Sequence, residues 1–95
     1  MKEIILSADG ARVLYLVPDA VADRLQEYCI EFCDHWLWNS PHAKHLRTKQ
    51  GACFTEADFI EYLNKHLFPE EKAVLVKTLG EKVPPEYKDL PRFNF

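Results

Sequence analysis

The sequence predicts an α+β fold, an N-terminal β-hairpin packed on a bundle of about three helices. Three observations carry that prediction. Two runs rich in Ile, Leu and Val, residues 2–7 and 11–17, flank Ala8-Asp9-Gly10. Residues 19–38 and 56–67 repeat their apolar side chains at helical spacing. Pro, Gly and Asn punctuate the chain between these stretches, at Pro18, Asn39, Pro41, Gly51, Pro69 and Gly80.

Asp-Gly between two apolar runs is a strong short-range hairpin signal, because the turn requires positive φ and Gly takes it without steric cost. The hairpin is therefore placed over residues 2–17. Isolated hairpins are marginal in water, so this one has to lie on a helix or join a larger sheet. Pro18-Asp19 ends the second strand, with Asp19 as the N-cap of a central helix over 19–38. Along it Val21, Leu25, Tyr28, Cys29, Phe32 and Trp36 share roughly a third of the helical wheel. Asp23, Glu27, Glu31 and Asp34 line the opposite face.

Asn39-Ser40-Pro41 breaks this helix, and Ser40 caps a short helix, 41–47, that Pro41 begins. Thr48 to Gly51 reads as loop and Ala52-Cys53-Phe54 as a brief extended piece. Thr55 with Asp58 resembles a capping box ahead of a helix over 56–67, which buries Phe59, Ile60, Tyr62, Leu63 and Leu67. A further helix is expected over 70–79, closed by Gly80. The tail, 83–95, is expected to be extended, with Phe93 and Phe95 docked on their own domain.

A chain of 95 residues forms one domain, 1–95. Its apolar fraction of 47% is enough to fold without metal or disulfide staples. No window approaches the roughly 18 apolar residues a membrane span needs, and the start lacks the apolar run of a signal peptide. Three cysteines is an odd number in no disulfide framework, which points to a reducing, cytoplasmic setting. The net charge of −3 is uneven. Residues 1–34 carry three basic and seven acidic side chains, and 56–95 carry six and eight. From His35 to Thr55 there is no Asp or Glu, against Lys44, Arg47 and Lys49.

That acid-free stretch lies within the richest chemical segment of the chain: Cys29, Cys33, His35, Trp36, Trp38, His42, His45 and Cys53. Four uses compete for it. Trp38 falls on the polar face of the central helix, unlike Trp36. With Lys44, Arg47 and Lys49 it makes an aromatic anchor with a basic rim, fitting an acidic protein partner. A small accessory or regulatory protein acting by protein–protein contact, with a partner or as a homodimer through an unpaired hairpin edge, is the main expectation. It requires no cofactor.

The alternative is a structural zinc domain. Cys29 and Cys33 are four residues apart and His42 and His45 three, so each pair shares a helix face, and folding at Asn39–Pro41 would bring the two pairs together. Against it, the chain has no Cys-x-x-Cys, and Cys29 sits in the apolar stripe where a free cysteine packs as a small hydrophobe. Nucleic-acid binding through 35–55 has only three fixed positive charges behind it. Catalysis is not expected; the remaining nucleophile is Cys53, ahead of the Thr55 cap, with His42, His45 or His66 as a base. His66 itself falls on the apolar side of its helix.

Overall fold

In the computed structural model, which describes all 95 residues, the hairpin is the middle of a larger sheet. Strand β1 (Lys2–Ser7) pairs antiparallel with β2 (Arg12–Val17), from Lys2 opposite Val17 to Leu6 opposite Val13. Asp9 carries the positive φ of the turn, at 59°, rather than Gly10. Asp is one of the few residues with a side chain that tolerates this region. Here the amide of the C-terminal Asn94 holds it: the Asp9 N–H donates to Asn94 Oδ1 at 2.9 Å and Asn94 Nδ2 donates to Asp9 Oδ1 at 3.1 Å.

Both hairpin strands have further neighbours. The sheet runs β5-β2-β1-β6, with β5 (Val74–Gly80) antiparallel to β2 and β6 (Arg92–Asn94) parallel to β1. Two expectations are corrected here. Residues 70–79 do not form a helix, and the tail is not merely extended but closes the sheet. Four contiguous apolar residues, Ala73-Val74-Leu75-Val76, fit a strand or a buried helix equally by spacing. The β-branched Val74, Val76 and Thr78 favour the strand, and Asn64 fastens its start, donating to Ala73 O at 3.1 Å and accepting from Ala73 N–H at 2.7 Å. The free edges are consequently β5 and β6, not the hairpin.

A helical layer covers one face of the sheet. It opens with α1 (Asp19–Asp23), breaks at Arg24, and continues through α2 (Leu25–Ile30), a π-helical turn (Glu31–Trp36) and α3 (Leu37–Asn39). Pro18, not Asp19, is the N-cap: its carbonyl accepts from the N–H groups of Val21 and Ala22, and Asp19 instead pairs with the terminal amine at 2.9 Å. Ser40 caps the next piece as expected, accepting from His42 N–H at 3.1 Å, though the piece is a 3-10 helix, Pro41–Leu46. A two-stranded ribbon, β3 (Arg47–Thr48) with β4 (Gly51–Ala52), leads to α4 (Glu56–Tyr62) and a second π-helical turn, Leu63–Leu67. Asp58 accepts from Thr55 N–H at 2.9 Å, one half of the capping box.

Alternation along β1 and β2 sends Ile4, Leu6, Val13, Tyr15 and Val17 into the core beneath the helices. Ile5 and Leu14, paired with each other, face the opposite side and are still no more than 1% exposed. The connection from β5 to β6 covers them. It crosses from one sheet edge to the other, with Tyr87 under Lys77 Nζ at 5.2 Å and Pro91 O accepting from Ile5 N–H at 2.9 Å.

The core centres on Phe32. Its ring meets those of Trp36, Phe54, Phe59, Tyr62 and Phe95, with centroids 5.2–5.8 Å apart. One side chain thus ties the central helix, the segment between ribbon and α4, α4 itself and the C-terminal tail together. Phe32→Ala is expected to cost about 3–5 kcal/mol in urea unfolding, a large part of a small domain's total stability. Phe32→Leu, which keeps most of the volume, is expected to cost less than half of that.

Candidate functional site

The residues singled out in the sequence are distributed over three separate places. Cys29 lies at 0% exposure in the core, Cys33 is half-buried, and Cys53 is exposed; none is paired in a disulfide. Burial pushes the Cys29 thiol far above the ordinary range, with nearby Cys33 adding to it. Burial also raises Cys33, and the carboxylate of Asp34, 3.7 Å from its sulfur, raises it further. No group of three or more Cys, His, Asp or Glu side chains is arranged around a common metal position. Cys53 is bonded through its backbone N–H to Leu46 O at 2.8 Å, and no histidine hydrogen-bonds its thiol.

Trp38 is 49% exposed, and its indole Nε1 donates to Cys33 O at 3.0 Å. Its polar atom is satisfied within the chain, so what it shows to solvent is apolar ring. Lys44 and Lys49 are exposed, but Arg47 is half-buried. Its Nη1 donates to Leu37 O at 2.7 Å, in the last turn of the central helix, and to Ser40 O at 2.9 Å, which also accepts from Ala43 N–H at 3.1 Å. Arg47 thus pins the helix end to the 3-10 piece.

His42 and His45 are not grouped with the cysteines. With His66 they line a cleft of about 150 Å³ floored by Trp36 and Tyr62 and walled by Asp58, Glu61 and Lys65. The His66 ring lies 4.9 Å from His42 and 5.4 Å from Trp36, centroid to centroid. The two π-helical turns put it there. Leu37 N–H reaches back to Phe32 O and Phe68 N–H to Leu63 O, each five residues, so both turns are one residue wider than an α-helical turn. Trp36 and His66 stand within these turns and face each other, an alignment that an α-helical wheel does not show.

His66 is held below the usual histidine range. Partial withdrawal of its ring from water is the first cause, followed by the charges of His42 and Lys65; Glu61 opposes them. Glu61 is held down by Lys65, paired with it at 2.5 Å, and by His45 and His66. The positive stretch of sequence therefore meets carboxylates of α4 in space. The fourth histidine, His35, lies outside the cleft, 2.8 Å from Glu31.

A further surface carries none of the residues that the sequence singles out. Along β5, Val74, Leu75 and Val76 are 50%, 58% and 45% exposed, at the edge of the sheet. A helical reading of these residues conceals the signal, an apolar run on an edge strand whose outer side has no neighbour. No family model, curated protein or solved structure matches this chain. No helix is long and apolar enough to cross a membrane.

The thiols report directly on this arrangement. In native protein at pH 8, a small thiol reagent is expected to label Cys53 quickly and Cys29 only on unfolding. Because the folded state raises the Cys29 pKa, its stabilising contribution is complete below the unfolded thiol value of about 8.5 and is lost as pH rises above it. Unfolding midpoints should fall on the alkaline side, and Cys29→Ala should flatten that fall.

Proposed function

We propose that this chain is an accessory protein that works by protein–protein contact rather than catalysis, and that β5 is its docking element. The observation that carries the reading is the run Val74-Leu75-Val76, about half exposed on an edge strand with one row of backbone groups unpaired. Exposed apolar edges are templates for another strand. Covering these side chains contributes roughly 1–2 kcal/mol each at about 25 cal/mol per Å², and main-chain hydrogen bonds add to that.

The occupant is a second copy of the chain. An antiparallel pairing about a two-fold axis at Val76 sets Lys77 opposite Leu75 and Val74 opposite Thr78, so no like charges face each other over 74–78. Two register shifts between β2 and β5 twist this edge and keep the matching stretch short. A weak, concentration-dependent dimer with one sheet running through both copies is the result. Three unpaired thiols suit a cytoplasmic setting for it.

A second surface has its own supporting observation. The apolar ring of Trp38, with Lys44 and Lys49 exposed on the neighbouring 3-10 helix and ribbon, suits an acidic protein partner. Arg47 contributes by holding the surface in shape.

Light-scattering mass measured across a wide concentration range distinguishes these surfaces. The wild-type mass should rise from monomer toward dimer, and Leu75→Glu should hold it at monomer while changing stability by less than about 0.5 kcal/mol. A wild-type monomer throughout, or an unchanged dimer in the variant, contradicts the β5 reading. Trp38→Ala should leave self-association intact and cost about 0.5–1.5 kcal/mol through its lost hydrogen bond. Loss of the dimer in that variant would move the interface to Trp38.

A further inference from the structure

We infer that the cleft between the 3-10 helix Pro41–Leu46 and the helix over 56–67 is a binding site for a divalent transition-metal ion of the zinc, nickel or copper type, with His42 and His66 as its first two ligands. The inference is independent of the β5 interface; it shares His42 and His45 with the two-cysteine, two-histidine set but replaces both cysteines with His66 and a carboxylate.

The separation of the two rings is the leading argument. Imidazoles bound to one ion at about 2.0–2.1 Å hold their ring centres roughly 4.5–5.2 Å apart for ligand angles between a right angle and the tetrahedral value. His42 and His66 have centroids 4.9 Å apart. They come from different elements, so this spacing is a property of the fold and not of one helix.

The second argument is the third imidazole. In a 3-10 helix, side chains at i and i+3 eclipse. His45 therefore stands in line with His42 and lines the same cleft. Asp58 and Glu61 offer carboxylate oxygens from the opposite wall. Asp58 uses Oδ2 to accept from Thr55 N–H and keeps its other oxygen. Glu61 is engaged by Lys65 and has to exchange that partner for the ion. No three of these donors surround one point without the ion. Binding therefore draws in His45, exposed on the 3-10 helix, and one carboxylate, either the unused oxygen of Asp58 or Glu61 released from Lys65.

Donor chemistry sets the class of ion. Imidazole nitrogen with a single carboxylate suits zinc, nickel and copper, whereas calcium and magnesium take oxygen sets. The cleft is polar at its walls and aromatic at its floor, which fixes the rings without competing for the metal.

Calorimetric titration of the purified full chain with zinc chloride at neutral pH, after removal of bound metal with chelator, tests this. One ion per chain is expected, with affinity reduced at least tenfold in His42→Ala and in His66→Gln. His35→Ala and a Cys33→Ser, Cys53→Ser double variant should be unchanged, since those groups lie outside the cleft. Copper or nickel should quench Trp36, whose ring is 5.4 Å from His66, so Trp36→Phe should abolish most quenching and Trp38→Phe little of it. Absence of binding, binding that survives loss of His42 and His66, or binding lost with the cysteines overturns the inference. All the replaced histidines are exposed, so the variants are expected to fold, and circular dichroism on each confirms it.

Discussion

Everything in this fold depends on the aromatic cluster around Phe32. A small domain has few large side chains with which to join its elements, and here five rings from the central helix, the segment after the ribbon, α4 and the tail meet on one. Edge-to-face and tilted pairs of this kind add to burial through the ring quadrupole. Phe95 is decisive among them. It lies in the cluster because β6 pairs in parallel with β1, and β6 can reach β1 only by carrying residues 81–91 across the back of the sheet. Front and back of the hairpin are therefore sealed by the same C-terminal segment.

Much of the architecture was legible in local patterns. The hairpin followed from two apolar runs about Asp9-Gly10, the short helix from Ser40-Pro41, and the helix over 56–67 from its own periodicity and Asp58. These signals are local, and local energetics settle them. The misreadings occurred where distant partners decide. Val74–Gly80 joins a strand about sixty residues earlier, with Asn64 as the fastener, and spacing alone cannot express that. The tail was read as extended and docked, which holds for Phe95, but its parallel pairing depends on β1. Asp9 takes positive φ in place of Gly10 because Asn94, far along the chain, holds its side chain and amide.

The chemical residues show the same division. Cys29 in the core and Trp38 on the surface both follow from the helical wheel. The meeting of His66 with His42 and Trp36 does not, because both helices widen into π turns there, and a period of about 3.6 residues does not describe side chains that stand within such a turn. Arg47 counted as a free positive charge in the sequence, while in space its guanidinium completes the end of the central helix. Sequence-local charge thus overstated the basic patch, and sequence-local crowding of cysteine and histidine joined groups that the fold separates. The fold instead leaves an apolar edge strand and a histidine cleft on different elements, so the proposed self-association and the proposed metal binding can be tested one at a time.

The central claim is that the C-terminal tail is an integral part of the core through Phe95 and β6. Native-state hydrogen exchange, read by NMR at individual amides, tests it most directly. The Phe95 N–H, bonded to Ser7 O at 2.9 Å, and the Ile5 N–H, bonded to Pro91 O, should exchange only through global unfolding, at the same free energy as Phe32 and Leu14. Exchange of the Phe95 amide at a much lower free energy than Phe32 would show a tail that frays on its own, and would contradict the account.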